Sequence, residues 1–170
     1  MEKAFDSLSW PYLFLVLTHM GLGQGMITWI KILYEKARTR MGQEFSQPWK
    51  IGRGKRPGWP LSPLLFALAI EPLAYRLRKM GATTGIIIGQ KVHAVSLYAD
   101  DVLVYLCDVG TGIQPLLQVL KQFTHVSGLR LNRTKSHVFY VHPRPPADDQ
   151  CENDMPLSVA QDTFRYLGVQ

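Results

Sequence analysis

The chain has 170 residues, 46% of them apolar and 19% charged, which supplies a packed core and excludes wholesale disorder. The net charge is +6, and the whole surplus lies in residues 31–56, where eight Lys and Arg face two Glu; such a patch suits a polyanion such as nucleic acid, although solvated helix and hairpin charges give the same count. The apolar runs are too short to span a membrane, the N-terminus lacks the pattern of a secretory signal, and two cysteines without a CxxC or a nearby His pair support neither a disulfide framework nor a structural zinc site.

In chain order, Ser9 is placed to cap a helix with Pro11 in its first turn, and Tyr12, Leu13, Val16, Leu17 and Met20 share one face. Gly21 and Gly23 stop it. A second amphipathic helix is predicted over residues 25–36, with Ile27, Ile30, Ile32 and Leu33 as its apolar members. Short extended segments follow at 38–41 and 47–51, then a Gly- and Pro-rich loop over 52–59. Ser62 and Pro63 predict the start of a helix whose face is Leu64, Leu65, Leu68 and Ala69, kinked at Pro72. Gly81 and Gly85 break the chain before a strand at 86–88. A hairpin is predicted from 92–98 and 102–106, because both arms are β-branched and aromatic. A helix over 113–126 follows, ended by Gly128, then a strand at 137–141 and a Pro-rich acidic loop over 143–155. Helices interspersed with strands around a central hairpin predict an α+β fold, helices on one face of an antiparallel sheet.

The feature with chemical content is Tyr98-Ala99-Asp100-Asp101, between two apolar runs. Two carboxylates at a hairpin tip suit a hard divalent cation that takes oxygen ligands and keeps several waters. Aspartate also favours turns for conformational reasons alone. A metal-dependent hydrolase would use the same pair, but no further carboxylate stands at a telling position.

The tetrad resembles the central catalytic motif of reverse transcriptases. Four other blocks match that family in order. Glu2-Lys3-Ala4-Phe5-Asp6 is similar to the end of its first catalytic motif, and Pro60-Leu61-Ser62-Pro63-Leu64-Leu65-Phe66 to the loop and helix after the fingers. Ser127-Gly128-Leu129 with Asn132 and Lys135-Ser136 resembles the next palm motif, and Phe164-Arg165-Tyr166-Leu167-Gly168 the primer-grip region. The spelling is most similar to non-LTR (LINE-type) retrotransposon enzymes. The resemblance implies RNA-directed DNA synthesis with Mg²⁺ or Mn²⁺, an RNA template, a DNA primer and deoxynucleotides. Other retrotransposon-encoded proteins are implied partners, and the compartment would be nuclear or cytoplasmic. It assigns Asp100 and its neighbour Asp101 as catalytic, metal-binding carboxylates. Phe5, Arg56, Gly58, Tyr98 and Lys135 become nucleotide- or template-binding residues, and Tyr166 and Leu167 the primer grip.

The implied layout is a single partial domain over 1–170. Residues of about 22–60 form a fingers-like insertion, 164–170 begin the junction with the thumb, and the remainder is palm. The first palm strand and the thumb are missing from this layout. The family's other principal aspartate stands just before the Glu2–Asp6 string, and Met1 occupies the position after it. Asp6 matches a separate position. Arg56-Pro57-Gly58 replaces the usual Arg-Gln-Gly, removing a backbone donor and an amide side chain, and Trp59 stands where a small residue is common. The expectation is therefore an inactive or nearly inactive chain. The alternatives are a non-catalytic nucleic-acid-binding remnant and a translated fragment without function.

Overall fold

The computed structural model describes residues 4–35, 40–41, 44–45, 53–54, 60–141 and 157–160. The elements are α1 (Ala4–Ser7), α2 (Trp10–His19), α3 (Gln24–Glu35), β1 (Arg40–Met41), β2 (Glu44–Phe45), α4 (Ser62–Thr84), β3 (Ile86–Ile88), β4 (Lys91–His93), β5 (Val95–Tyr98), β6 (Asp101–Val104), α5 (Val109–Ser127), β7 (His137–Phe139) and β8 (Ser158–Ala160), with a 3₁₀ turn at Arg133–Lys135.

Helix α4 is the centre of the packing. It touches α2, α5, β4 and β5. Its buried stripe is Leu65, Phe66, Ala69, Ile70, Leu73, Ala74 and Leu77, a repeat of three and four that keeps one wide face inward. The expected face is thus rotated: Leu64 lies outward, 56% exposed, and Phe66 and Ile70 take the core positions. The helix runs on through Pro72 to Thr84. Tyr12, Leu13, Val16 and Leu17 of α2 are buried against it as the periodicity predicts, while Met20 sits at the C-cap and is exposed. In α3, Ile27 and Ile30 are buried but Ile32 and Leu33 are not; Tyr34 takes the inward place. Both expected serine caps need correction. Ser9 occupies the N-cap position of α2, but its side chain makes no capping bond. Ser62 is the buried first residue of α4, whose N-cap position falls on Leu61.

Helix α5 starts four residues earlier than its apolar face. Asp108 caps it, accepting from the Gly110 N–H at 3.0 Å and from Thr111 Oγ1 at 2.6 Å. The Thr111 hydroxyl first, then the Gly110 and Thr111 amides, hold the Asp108 carboxyl below its usual range. At the other end, Gly128 is the C-cap, in the left-handed conformation.

The strands are arranged differently from the single antiparallel sheet that the sequence predicts. Among the described residues they form four separate pairs: β1–β2, β3–β4 and β5–β6 antiparallel, and β7–β8 parallel. The predicted strand over 92–98 is divided at Ala94. Its first part folds back on β3 (Ile86 opposite His93), and its second part pairs with β6 (Val95 opposite Val104). The division lies where the chain meets α4. A methyl group added at Gly81 would sit 2.0 Å from Ala94 Cβ, so helix and strand touch there without an intervening side chain. Helices with small sheets still make an α+β fold. The expected extended segment at 47–51 lies outside the described residues.

Candidate functional site

The β5–β6 hairpin is built by alternation. Val95 faces Val104 and Leu97 faces Val102, and these four apolar side chains pack against the helical core. The period of two then sends Ser96, Tyr98, Asp101, Leu103 and Tyr105 to the opposite face. On that face Ser96 Oγ and Tyr105 Oη lie 3.2 Å apart, and the His93 ring meets Tyr105 edge-on at 6.4 Å. Tyr98 is 66% exposed.

The connection is two residues, Ala99 and Asp100, with Tyr98 paired to Asp101. Asp101 is therefore the first residue of β6 rather than part of the turn. Ala99 has φ +50°, a left-handed conformation that costs an L-residue roughly 1–2 kcal/mol. The apolar face of the hairpin is anchored in the core, so its tip presents two successive carboxylates on a fixed base. Such a pair fits one hard cation whose other ligands are water and phosphate oxygens. Among the described residues no group of three or more His, Cys, Asp or Glu is placed to hold a metal. Asp6 accordingly does not join Asp100 and Asp101.

A second constellation joins the segment after α1, the Gly54 segment and the Ser127–Gly128 motif. The segment after α1 is held from two sides. On one, the Ser9 N–H donates to the Ser127 carbonyl at 2.8 Å, and a side chain at Gly128 would strike the Ser7 carbonyl. On the other, the Gly54 N–H donates to the Leu8 carbonyl at 2.9 Å, and Trp10 Nε1–H donates to the Gly54 carbonyl at 2.7 Å. Downstream, Asn132 caps the 3₁₀ turn, accepting from the Lys135 N–H at 3.2 Å and from Thr134 Oγ1 at 2.8 Å. The turn leaves Lys135 exposed.

The family model described as "Reverse transcriptase (RNA-dependent DNA polymerase)" matches residues 1–170. The chain belongs to the reverse transcriptase family. It is 28% identical, over 99% of its length, to the Pol polyprotein of the type-2 retrotransposable element R2DM of Drosophila melanogaster. It is 31% identical, again over 99%, to the Pol polyprotein of a type-1 retrotransposable element R2 of Popillia japonica. Over 79% of its length it is 32% identical to the transposon TX1 149 kDa protein of Xenopus laevis. It spans 17%, 25% and 10% of those three proteins. The non-LTR retrotransposon resemblance carried by the five motifs is thereby borne out.

Within this reverse transcriptase chain, Asp100 stands in the hairpin turn, Asp101 and Tyr98 flank it, and Lys135 lies on the 3₁₀ turn. Phe5 belongs to α1. Arg56, Gly58, Tyr166 and Leu167 lie outside the described residues. The Trp10–Gly54 contact links residues 44 apart and has no local signal in the sequence. No helix among the described residues is long and apolar enough to cross a membrane.

Proposed function

We propose that the chain is the palm part of a retrotransposon reverse transcriptase, and that Asp100 and Asp101 are its metal-binding, catalytic carboxylates. The observation that supports this is a reverse transcriptase match along the whole chain with the carboxylate pair at the tip of a core-anchored hairpin. In this reading residues of about 22–60 are a fingers-like insertion, and 164–170 lead toward a thumb. The substrates are an RNA template, a DNA primer and deoxynucleotides.

Mg²⁺ or Mn²⁺, when bound, would neutralise phosphate charge and polarise the reacting oxygens. The chain's own contribution is positional. Asp100 and Asp101 would hold the ion at the tip. Tyr98, exposed beside them, offers a ring to the primer end, and Lys135 offers a cation to a phosphate. Phe5, Arg56 and Gly58 would line the nucleotide and template side, and Tyr166 and Leu167 the primer. The 170 residues by themselves are proposed to bind nucleic acid with little or no turnover, because Pro57 and Trp59 depart from the family's usual loop residues.

Primer extension on an RNA template, with the Asp100→Ala, Asp101→Ala double variant beside the wild type, tests this. The expected result is no extension by the 170 residues and salt-sensitive binding of primer–template. Extension lost in the double variant would keep the site and overturn the inactivity. Extension surviving the double variant, or a folded chain that binds no nucleic acid, would overturn the assignment.

A further inference from the structure

Residues 31–56 carry the chain's entire positive surplus. Lys31 and Arg53 are the two basic residues there with described side-chain surroundings. Lys31 is engaged internally: its Nζ lies 5.3 Å from the centre of the Phe14 ring. Arg53 is exposed, and among the described residues no carboxylate pairs with it.

The backbone around Arg53 is held with unusual completeness. Arg53 forms an antiparallel bridge with Ser9. The next residue, Gly54, is fixed through both its polar groups, by the Leu8 carbonyl at 2.9 Å and by Trp10 Nε1–H at 2.7 Å. Gly54 has φ +86°, and a Cβ there would lie 3.0 Å from the Asp6 carbonyl oxygen. Only glycine fits so close a seat. The Trp10 ring is itself set edge-on against Tyr34, centroids 4.9 Å apart. A surface arginine with so constrained a base needs less ordering on binding, and its planar fork matches a phosphate.

We propose that Arg53 contacts a backbone phosphate of the bound nucleic acid, and that Trp10 is a positioning residue that presents it by clamping Gly54. The inference rests on the nucleic-acid-binding reading above and adds to it a residue pair outside the five motifs.

The test is the affinity of the chain for a labelled single-stranded RNA across a range of salt. Arg53→Gln should weaken binding on the order of fivefold and flatten the slope of log K against log salt by about 0.7, the value for one single-strand phosphate. Arg53→Lys should keep the slope. Trp10→Phe, which retains the ring and removes the N–H, should reproduce the Arg53→Gln loss. The double variant should be no weaker than either single one, a coupling that mere loss of stability would not produce. An unchanged slope in Arg53→Gln would overturn the phosphate contact, and additive losses would overturn the role of Trp10. Arg53→Gln changes an exposed side chain, so it decides the first point even when Trp10→Phe lacks an unfolding transition. A wild-type chain that binds no RNA at any salt would instead overturn the underlying reading, and this one with it.

Discussion

The contact between Gly81 and Ala94 is the narrowest point between α4 and the strands, and it predicts a specific cost for a single methyl group. In Gly81→Ala the new Cβ would lie 2.0 Å from Ala94 Cβ and 2.9 Å from Ala94 Cα. Carbon atoms in contact prefer about 3.5–4.0 Å, so the strand must retreat by about 1.5 Å or more. It has little room to do so, because the Ala94 carbonyl accepts from the Tyr105 N–H at 2.9 Å and holds the strand to its neighbour. Overpacking costs about 1–3 kcal/mol, and a clash with backbone belongs at the upper end. Alanine returns about 1 kcal/mol through helix propensity. The net expectation is a loss of about 2 kcal/mol, read as a fall of about 1 M in the urea midpoint for a slope of about 2 kcal/mol/M. Ala94→Gly in the same chain removes the 2.0 Å clash and leaves the 2.9 Å one. The double variant should therefore recover about 1 kcal/mol of what the separate losses predict. A Gly81→Ala variant as stable as the wild type, or more so, would mean that propensity alone governs the site. It would refute the close approach of helix and strand.

Gly54→Ala combines a left-handed φ with a 3.0 Å contact to the Asp6 backbone; a loss of at least about 1 kcal/mol is expected in chemical denaturation. Tyr12 donates to the Ala69 carbonyl at 2.9 Å, and burial pushes its hydroxyl up to about 12. Its folded value lies above its unfolded one, so this contribution is complete below about pH 10 and declines as pH rises towards 12. Tyr12→Phe should cost about 1 kcal/mol at neutral pH and blunt that alkaline decline, measured by urea midpoints at several pH values. Asp108 has the opposite sign: its depressed value means that the cap stabilises above the usual carboxylate range and fails as pH falls through the folded value. Asp108→Ala should lower the melting temperature at pH 7 and have little effect well below that range.

The helices and the central hairpin were legible because their signals are local. Tyr12, Leu13, Val16 and Leu17 repeat at helical spacing and are buried, and the two β-branched runs around Asp100 and Asp101 are strands. The tip itself was legible to within one residue, since Asp101 pairs with Tyr98 rather than turning. What the sequence hid has physical reasons. The first turn of α5 contains Gly110 and Gly112, poor helix formers, and depends on the Asp108 cap. The fold-back of Lys91–His93 onto Ile86–Ile88 leaves Ile87 and Val92 exposed, 70% and 51%, so no burial pattern marks it. The parallel pairing of His137–Phe139 with Ser158–Ala160, joined by the contact of His137 Nδ1 with Ser158 Oγ at 2.7 Å, is non-local and leaves no periodic trace. The motif residues were visible as spellings. Their mutual support through Leu8, Ser9 and Trp10 was not, because it depends on partners that are remote in the chain.

That support has a consequence for how the protein is made. The Ser9 N–H finds its partner only in Ser127, near the far end of the described core. At about 5–20 residues per second, the roughly 120 residues between them take on the order of ten seconds to synthesise. Until α4 is complete at Thr84 the apolar face of α2 lacks its main partner, and the contribution of α5 arrives only with Ser127. The nascent chain is thus obliged to hold a sticky helix until that partner emerges. Slow codons placed between α2 and α4 would lengthen that wait and raise the demand for chaperones, whereas a pause after Leu129 would leave the junction already closed.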